Sequence, residues 1–186
     1  MADEDARSFD HSLVLIARDE LEAVLRIIEG EDALDADEGV RSLVVRGLAV
    51  LGERGAEVHP RLLAMLAVAM APEATARIGY DGLHGRGVVD VHDRFGRQVS
   101  MRSIAPDLVV LAAHDRDVRP ALAREALARA HGQVEATFGL DAASIMSGQI
   151  ASVRATSTTD GWRTESGETV SANEFEEQIV DLLGAR

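Results

Sequence analysis

The sequence predicts an α+β fold: a mostly antiparallel sheet with a helix-turn-helix unit and flanking helices packed on one side. Three observations carry this expectation. From Val40 to Met70, apolar residues recur at steps of three and four in two runs. Val40, Leu43, Val44, Gly47, Leu48 and Leu51 form the first, and Leu62, Leu63, Leu66, Ala67 and Met70 the second, so each run lies on one helix face. From Thr75 to Ala112, short apolar or alternating runs are separated by turns too short for a crossover helix, so consecutive strands pair antiparallel. Finally, Ser171-Ala172-Asn173-Glu174 has capping-box spacing ahead of the apolar stripe Phe175, Ile179, Leu182 and Leu183, which marks a helix stopped at Gly184.

In chain order, residues 1–10 are expected to be a disordered acidic tail, and 11–186 a single domain. Leu13 to Ile16 read as a buried strand. Arg18 to Ile28 read as a helix with Asp19, Glu20 and Glu22 at its positive end, a buried stripe of Leu21, Val24, Leu25 and Ile28, and a stop at Gly30. Glu29 to Glu38 is a solvated acidic connection. In the central unit, Gly52 and Gly55 stop the first helix, and Pro60 suits the first position of the second, where its missing N–H costs nothing. Ala71-Pro72 ends that helix. Strands follow at Thr75 to Tyr80 and Val88 to Val91, joined by a glycine-rich hairpin tip, then at Gln98 to Ile104 after a turn at His92 to Gly96, and at Leu108 to Ala112. Arg119-Pro120 opens a helix with the small-residue stripe Leu122, Ala126, Leu127 and Ala130, ended by Gly132 or Gly139. The segment from Ala142 to Ser147 is ambiguous. Ile150 to Thr156 and Trp162 to Thr164 read as paired strands around the turn Ser157 to Gly161.

Composition narrows function. The 186 residues carry a net charge of −13, which repels phosphate backbones and anionic lipid surfaces; neither nucleic acid nor membrane is an expected partner. All 19 basic residues are Arg, which excludes a Schiff-base or P-loop lysine and fits the codon usage of a high-GC, actinobacterial-type genome. With no cysteine, disulfides, thiolate nucleophiles and Cys-based metal sites are excluded. There is no signal-peptide pattern and no apolar run long enough to span a bilayer, so a cytoplasmic protein is expected.

No catalytic residue, metal site or cofactor is assigned. The histidines His11, His59, His84, His92, His114 and His131 match no metal-binding spacing. The best local cluster is Asp90-Val91-His92-Asp93, in which Asp90 and His92 share a strand face and His114-Asp115 could approach on an adjacent strand. Ser100, Ser103 and Ser144 lack a nucleophile elbow, and Gly82 to Gly87 lacks the dinucleotide and P-loop signatures. Four residues are candidates for partner binding. Trp162 suits either an interface anchor or a strand residue covering the core, and Leu83, Phe95 and Met101 lie in or beside hairpins, where exposure would make them a sticky surface.

Strand, helix, then Leu43-Val44-Val45-Arg46-Gly47-Leu48, Gly55 to Leu66 and Ala71-Pro72-Glu73-Ala74, resembles the N-terminal half of EspG-type chaperones of type VII (ESX) secretion systems. Gly161-Trp162, then Val170-Ser171-Ala172 before an amphipathic helix, is similar to how those proteins end. The chain is shorter than that family, which puts its partner-binding surface in question. The resemblance implies a cytosolic, non-enzymatic α+β protein that shields the apolar tip of a helical secretion substrate. Two other readings stand beside it: a winged-helix DNA-binding regulator using Val40 to Met70 and the hairpin at Thr75 to Val91, and a metal-dependent enzyme using the His92 cluster. A homodimer through a sheet edge is left open.

Overall fold

The computed structural model describes residues 13–31, 37–53, 55–139, 146, 148 and 150–184. The acidic tail, His11, Ser144 and the centre of the acidic connection lie outside them. Nine strands form one sheet in the order β1-β7-β6-β5-β4-β8-β9-β10-β11, every neighbouring pair antiparallel. These are β1 (Leu13–Ala17), β4 (Ala74–Gly82), β5 (Gly85–Arg94), β6 (Arg97–Ala105), β7 (Leu108–His114), β8 (Ala130–Phe138), β9 (Ala151–Thr158), β10 (Gly161–Thr164) and β11 (Thr169–Val170). A separate hairpin joins β2 (Ala49–Gly52) to β3 (Gly55–Val58). The helices are α1 (Arg18–Ile28), α2 (Glu38–Val45), α3 (Pro60–Met70), α4 (Arg119–Arg129) and α5 (Ala172–Gly184). The α+β class with a large antiparallel sheet is as expected.

The pairing register decides where the helices go. Residues directly opposite share a face, and successive residues alternate. Val91 pairs with Ala76 and Ser100, whereas His92 pairs with Thr75 and Val99. The front face therefore carries Ala76, Ile78, Val89, Val91, Val134 and Trp162, which α4 and α5 cover with Leu122, Ala123, Phe175 and Ile179. The back face carries Val14, Ile16, Val99, Leu111 and Ala113, covered by α1, α2, α3 and the small hairpin through Val24, Val40, Leu43, Leu62 and Met65. Each half of the sheet is covered on one side, and the sides are opposite.

Three expectations change in detail. The first helix of the central unit ends at Val45, with Arg46 as its C-cap, not at Leu51. Gly47 (φ +69°) makes a helix stop in which the Leu48 N–H donates to Leu43 and the Gly47 N–H to Val44, and the chain then forms β2 and β3 before α3. A hairpin thus stands where a short turn is expected. Second, α1 buries Glu20, Ala23 and Val24, while Ile28 faces outward. The Glu20 carboxylate accepts from the Ala17 N–H (2.8 Å) and the Ser42 hydroxyl (2.6 Å) and pairs with Arg46, which turns this side of the helix inward. Burial raises its pKa, but Ser42, Ala17 and Arg46 together hold the carboxyl below the usual range. Third, the segment after Arg129 is not a helix tail. It is β8, a central strand with Val134 and Ala136 inward and Glu135 and Thr137 outward.

The capping box at α5 forms as expected: the Ser171 N–H donates to Glu174 (2.7 Å) and the Glu174 N–H to the Ser171 hydroxyl (3.3 Å). The helices α1 and α2 pack closely at Gly39, where a Cβ would lie 2.6 Å from the Asp19 carbonyl oxygen. Gly39→Val is therefore expected to lower stability by about 1–3 kcal/mol through overpacking, read as a lower urea midpoint with an unchanged m-value.

Candidate partner-binding surface

Because each half of the sheet is covered on one side, two quarter-surfaces carry no helix among the described residues. On the back of β4, β8 and β9 the uncovered residues are polar and paired. Arg77 binds Asp90 through two bonds (2.6 and 2.9 Å), Arg154 holds Glu135 (2.5 Å) and Glu165 (3.3 Å), and Arg86 reaches Glu135 at 3.5 Å. Such a face is satisfied by water.

The other uncovered quarter, on the front of β1 and β7, has the opposite chemistry. Leu13 pairs with Ala112, Leu15 with Val110 and Ala17 with Leu108, so these six apolar side chains share the front face. None belongs to either buried cluster. Leu13 is 65% exposed, Leu15 36%, and Ile104, in the register shift between β6 and β7, 54%. The strip exists because β1 and β7 alternate apolar residues on both faces: Val14, Ile16, Leu111 and Ala113 fill the core behind it. Its border toward α4 is a fixed ridge in which Arg102 of β6 binds Glu125 by two bonds (2.8 and 3.1 Å), and Glu125 also holds Arg129 (2.9 Å). On the outer edge of β1, the Arg46 guanidinium donates to the Leu15 carbonyl. That cap occupies one of the backbone groups through which a second sheet edge would add.

The four residues proposed from sequence are not gathered into one surface. Trp162 is 6% exposed and stacks on Phe175 with ring centroids 5.6 Å apart, so it is a core residue and not an anchor. Met101 packs against the back-face cluster beneath α3. Leu83 and Phe95 are exposed but sit at opposite ends of β5, separated by its full length, about 30 Å. Sequence reasoning missed Leu13, Leu15, Val110 and Ala112. An apolar run such as Leu13 to Ile16 signals burial on both faces, and nothing local reveals that one face lacks a cover.

The His92 cluster is divided as well. Asp90 and His92 lie on the back face, whereas His114 lies on the front, where its Nε2 is 2.8 Å from the Ser100 hydroxyl. His92 Nδ1 is 3.1 Å from the Thr75 hydroxyl, and its Nε2 has no hydrogen-bond partner among the described residues. His92 is buried and His114 half-buried, on opposite faces of the sheet, so the two do not form one site. Among the described residues, no group of three or more His, Asp or Glu could hold a metal ion. The winged-helix alternative loses its geometry, since α3 packs its Leu62, Met65 and Leu66 side against the sheet and is separated from α2 by the β2–β3 hairpin. Among the described residues, no helix is long and apolar enough to cross a membrane.

The fold has a solved counterpart. The Mycobacterium tuberculosis type VII secretion system chaperone EspG5, determined in complex with a PE25–PPE41 dimer, superposes with a TM-score of 0.62 over 92% of this chain and 97% of that chain, at 9% sequence identity. The likeness is one of fold. No protein-family model and no curated relative matches the sequence.

Burial lowers the pKa of His92 from its ordinary value near 6.5; Asp90 partly offsets this and Arg77 adds to it. The unfolded chain therefore binds a proton more readily than the folded one. Neutral His92 contributes stability that is complete above about pH 6.5 and is lost as the pH falls toward its folded pKa, by about 1.4 kcal/mol per unit of separation. Urea unfolding between pH 7 and 5 is expected to show this decline in the native chain and a flatter profile in His92→Gln.

Proposed function

We propose that this chain is a non-enzymatic, cytoplasmic chaperone or adaptor that covers the apolar tip of a helical protein, of the kind exported by type VII secretion. The observation that carries the reading is the uncovered strip of Leu13, Leu15, Val110 and Ala112 on an otherwise well-packed sheet. A contiguous apolar face rimmed by a fixed Arg–Glu ridge is the kind of surface that a protein partner covers. A chaperone with this fold, bound to a PE–PPE dimer, supports a helical partner. The polar back quarter, laced with ion pairs, has no comparable need of cover. Exposed Leu83 and Phe95 are secondary contacts in this reading, and the Arg46 cap on β1 favours docking on the face over edge pairing with a second copy.

The test is capture from the native host with the tagged chain, followed by identification of the bound protein. Leu15→Arg and Val110→Arg are expected to keep the wild-type unfolding midpoint within experimental error and to reduce recovery of the partner at least tenfold, which is about 1.4 kcal/mol. Recovery of the chain without any helical secretion-type partner, or undiminished recovery by both variants, counts against the reading.

A further inference from the structure

We propose that the cavity between the β4–β5 turn and the end of α4 is an anchor pocket, which takes one aromatic side chain of the same helical partner. The inference rests on the protein-binding reading above and adds a residue type that the partner presents.

The cavity measures about 510 Å³, and Tyr80, Gly82, Leu83, Gly85, Gly87 and Ala128 form much of its wall. No carboxylate lines it, and its two arginines are already paired, Arg86 with Glu135 (3.5 Å) and Arg129 with Glu125 (2.9 Å). With both cations engaged, the cavity suits an uncharged apolar group better than an ion. Glycine makes the room. A Cβ on Gly87 would lie 2.3 Å from the Tyr80 ring, so that ring rests over bare backbone, and a Cβ on Gly82 would lie 3.3 Å from the Arg129 carbonyl oxygen, so the hairpin packs close against the end of α4. Gly85 turns the chain at φ +114°, where a side chain would be strained. The floor is thus backbone and one aromatic ring, a surface on which a second ring stacks. Leu83 is 73% exposed, and a ring seated in the cavity would cover it.

The cavity also continues the apolar strip. Leu15, Val110, Arg102 and Val89 form one row across the front face. The next row toward the β4–β5 turn holds Ala17, Leu108 and Ala105, and past β6 it holds Gly87 and Tyr80. Leu108 and Gly87 are two strand spacings apart, about 10 Å, and exposed Ile104 lies in the stretch of β6 between them. The ridge of Arg102 and Glu125 stands beside this path without crossing it. A helical partner seated across Leu108 and Ile104 therefore brings a side chain to the mouth of the cavity, and an aromatic ring held in a desolvated pocket is the kind of contact that dominates protein binding.

The experiment titrates the full chain with N-acetyl-tryptophanamide, an uncharged tryptophan side chain between amides, and follows backbone amide NMR shifts. The amides of Gly82, Gly85 and Gly87 are expected to shift with saturation, those of Leu15 and Val110 to stay, and N-acetyl-alaninamide to move none of them. Ala128→Trp fills the cavity from an exposed helix position; it should keep the native unfolding midpoint and weaken the titration about tenfold or more. Leu83→Ser, at an exposed turn position, should weaken it about threefold. Equal shifts with the alanine compound, no shift with either, or an unchanged titration in both variants overturns the proposal. A host partner captured equally by the native chain and Ala128→Trp, yet lost by Leu15→Arg, removes this inference and keeps the proposed function.

Discussion

A nine-stranded antiparallel sheet has two apolar-capable faces, and the described residues supply only five helices to cover them. Everything else in the structure depends on how that constraint is met. Side chains alternate along a strand, so a continuous register commits every residue to one face at once. The chain places α1 to α3 behind the β1 side and α4 and α5 in front of the β10 side, and two quarters stay bare. One is polar and internally paired; the other is apolar. The asymmetry between them is the strongest functional statement the fold makes.

Charged residues hold the seams of this arrangement. Glu20, buried where β1, α1 and α2 meet, is satisfied by the Ser42 hydroxyl, an amide and Arg46, and Arg46 reaches on to the carbonyl of Leu15 on the sheet edge. Arg102 and Glu125 tie β6 to α4 at the border of the bare apolar strip. Each of these pairs is partly exposed on at least one side, so each gives position more than stability. Together they fix the two borders of the strip.

Much of the fold was legible in the sequence. The α1 boundaries, the strands of the β4–β7 meander and the capping box of α5 follow from periodicity, turn residues and caps, all of which act over a few residues. Gly47 and β8 were not legible in the same way. Gly47 fits an apolar helix stripe as well as it fits a stop, and only its left-handed conformation distinguishes them. The alternation of Val134, Ala136 and Phe138 is made from small and polar neighbours and follows a helix without a proline or glycine break until Gly132. Of the four surface candidates, Leu83 and Phe95 are exposed because turns put them there, while Trp162 found Phe175 on an element that the sequence cannot place beside it.

By itself, the sequence determined most of the secondary elements, the antiparallel connections of the β4–β7 meander and the exclusion of thiolate and lysine chemistry, because these depend on residue type and on neighbours a few positions away. It also marked Leu13 to Ile16 as apolar on both sides. Only the tertiary structure decided that one of those sides is covered and the other bare among the described residues, and that His92 and His114 face opposite directions. Coverage is a property of which helix packs on which face, and that is set by register across the whole sheet, which no local stretch records.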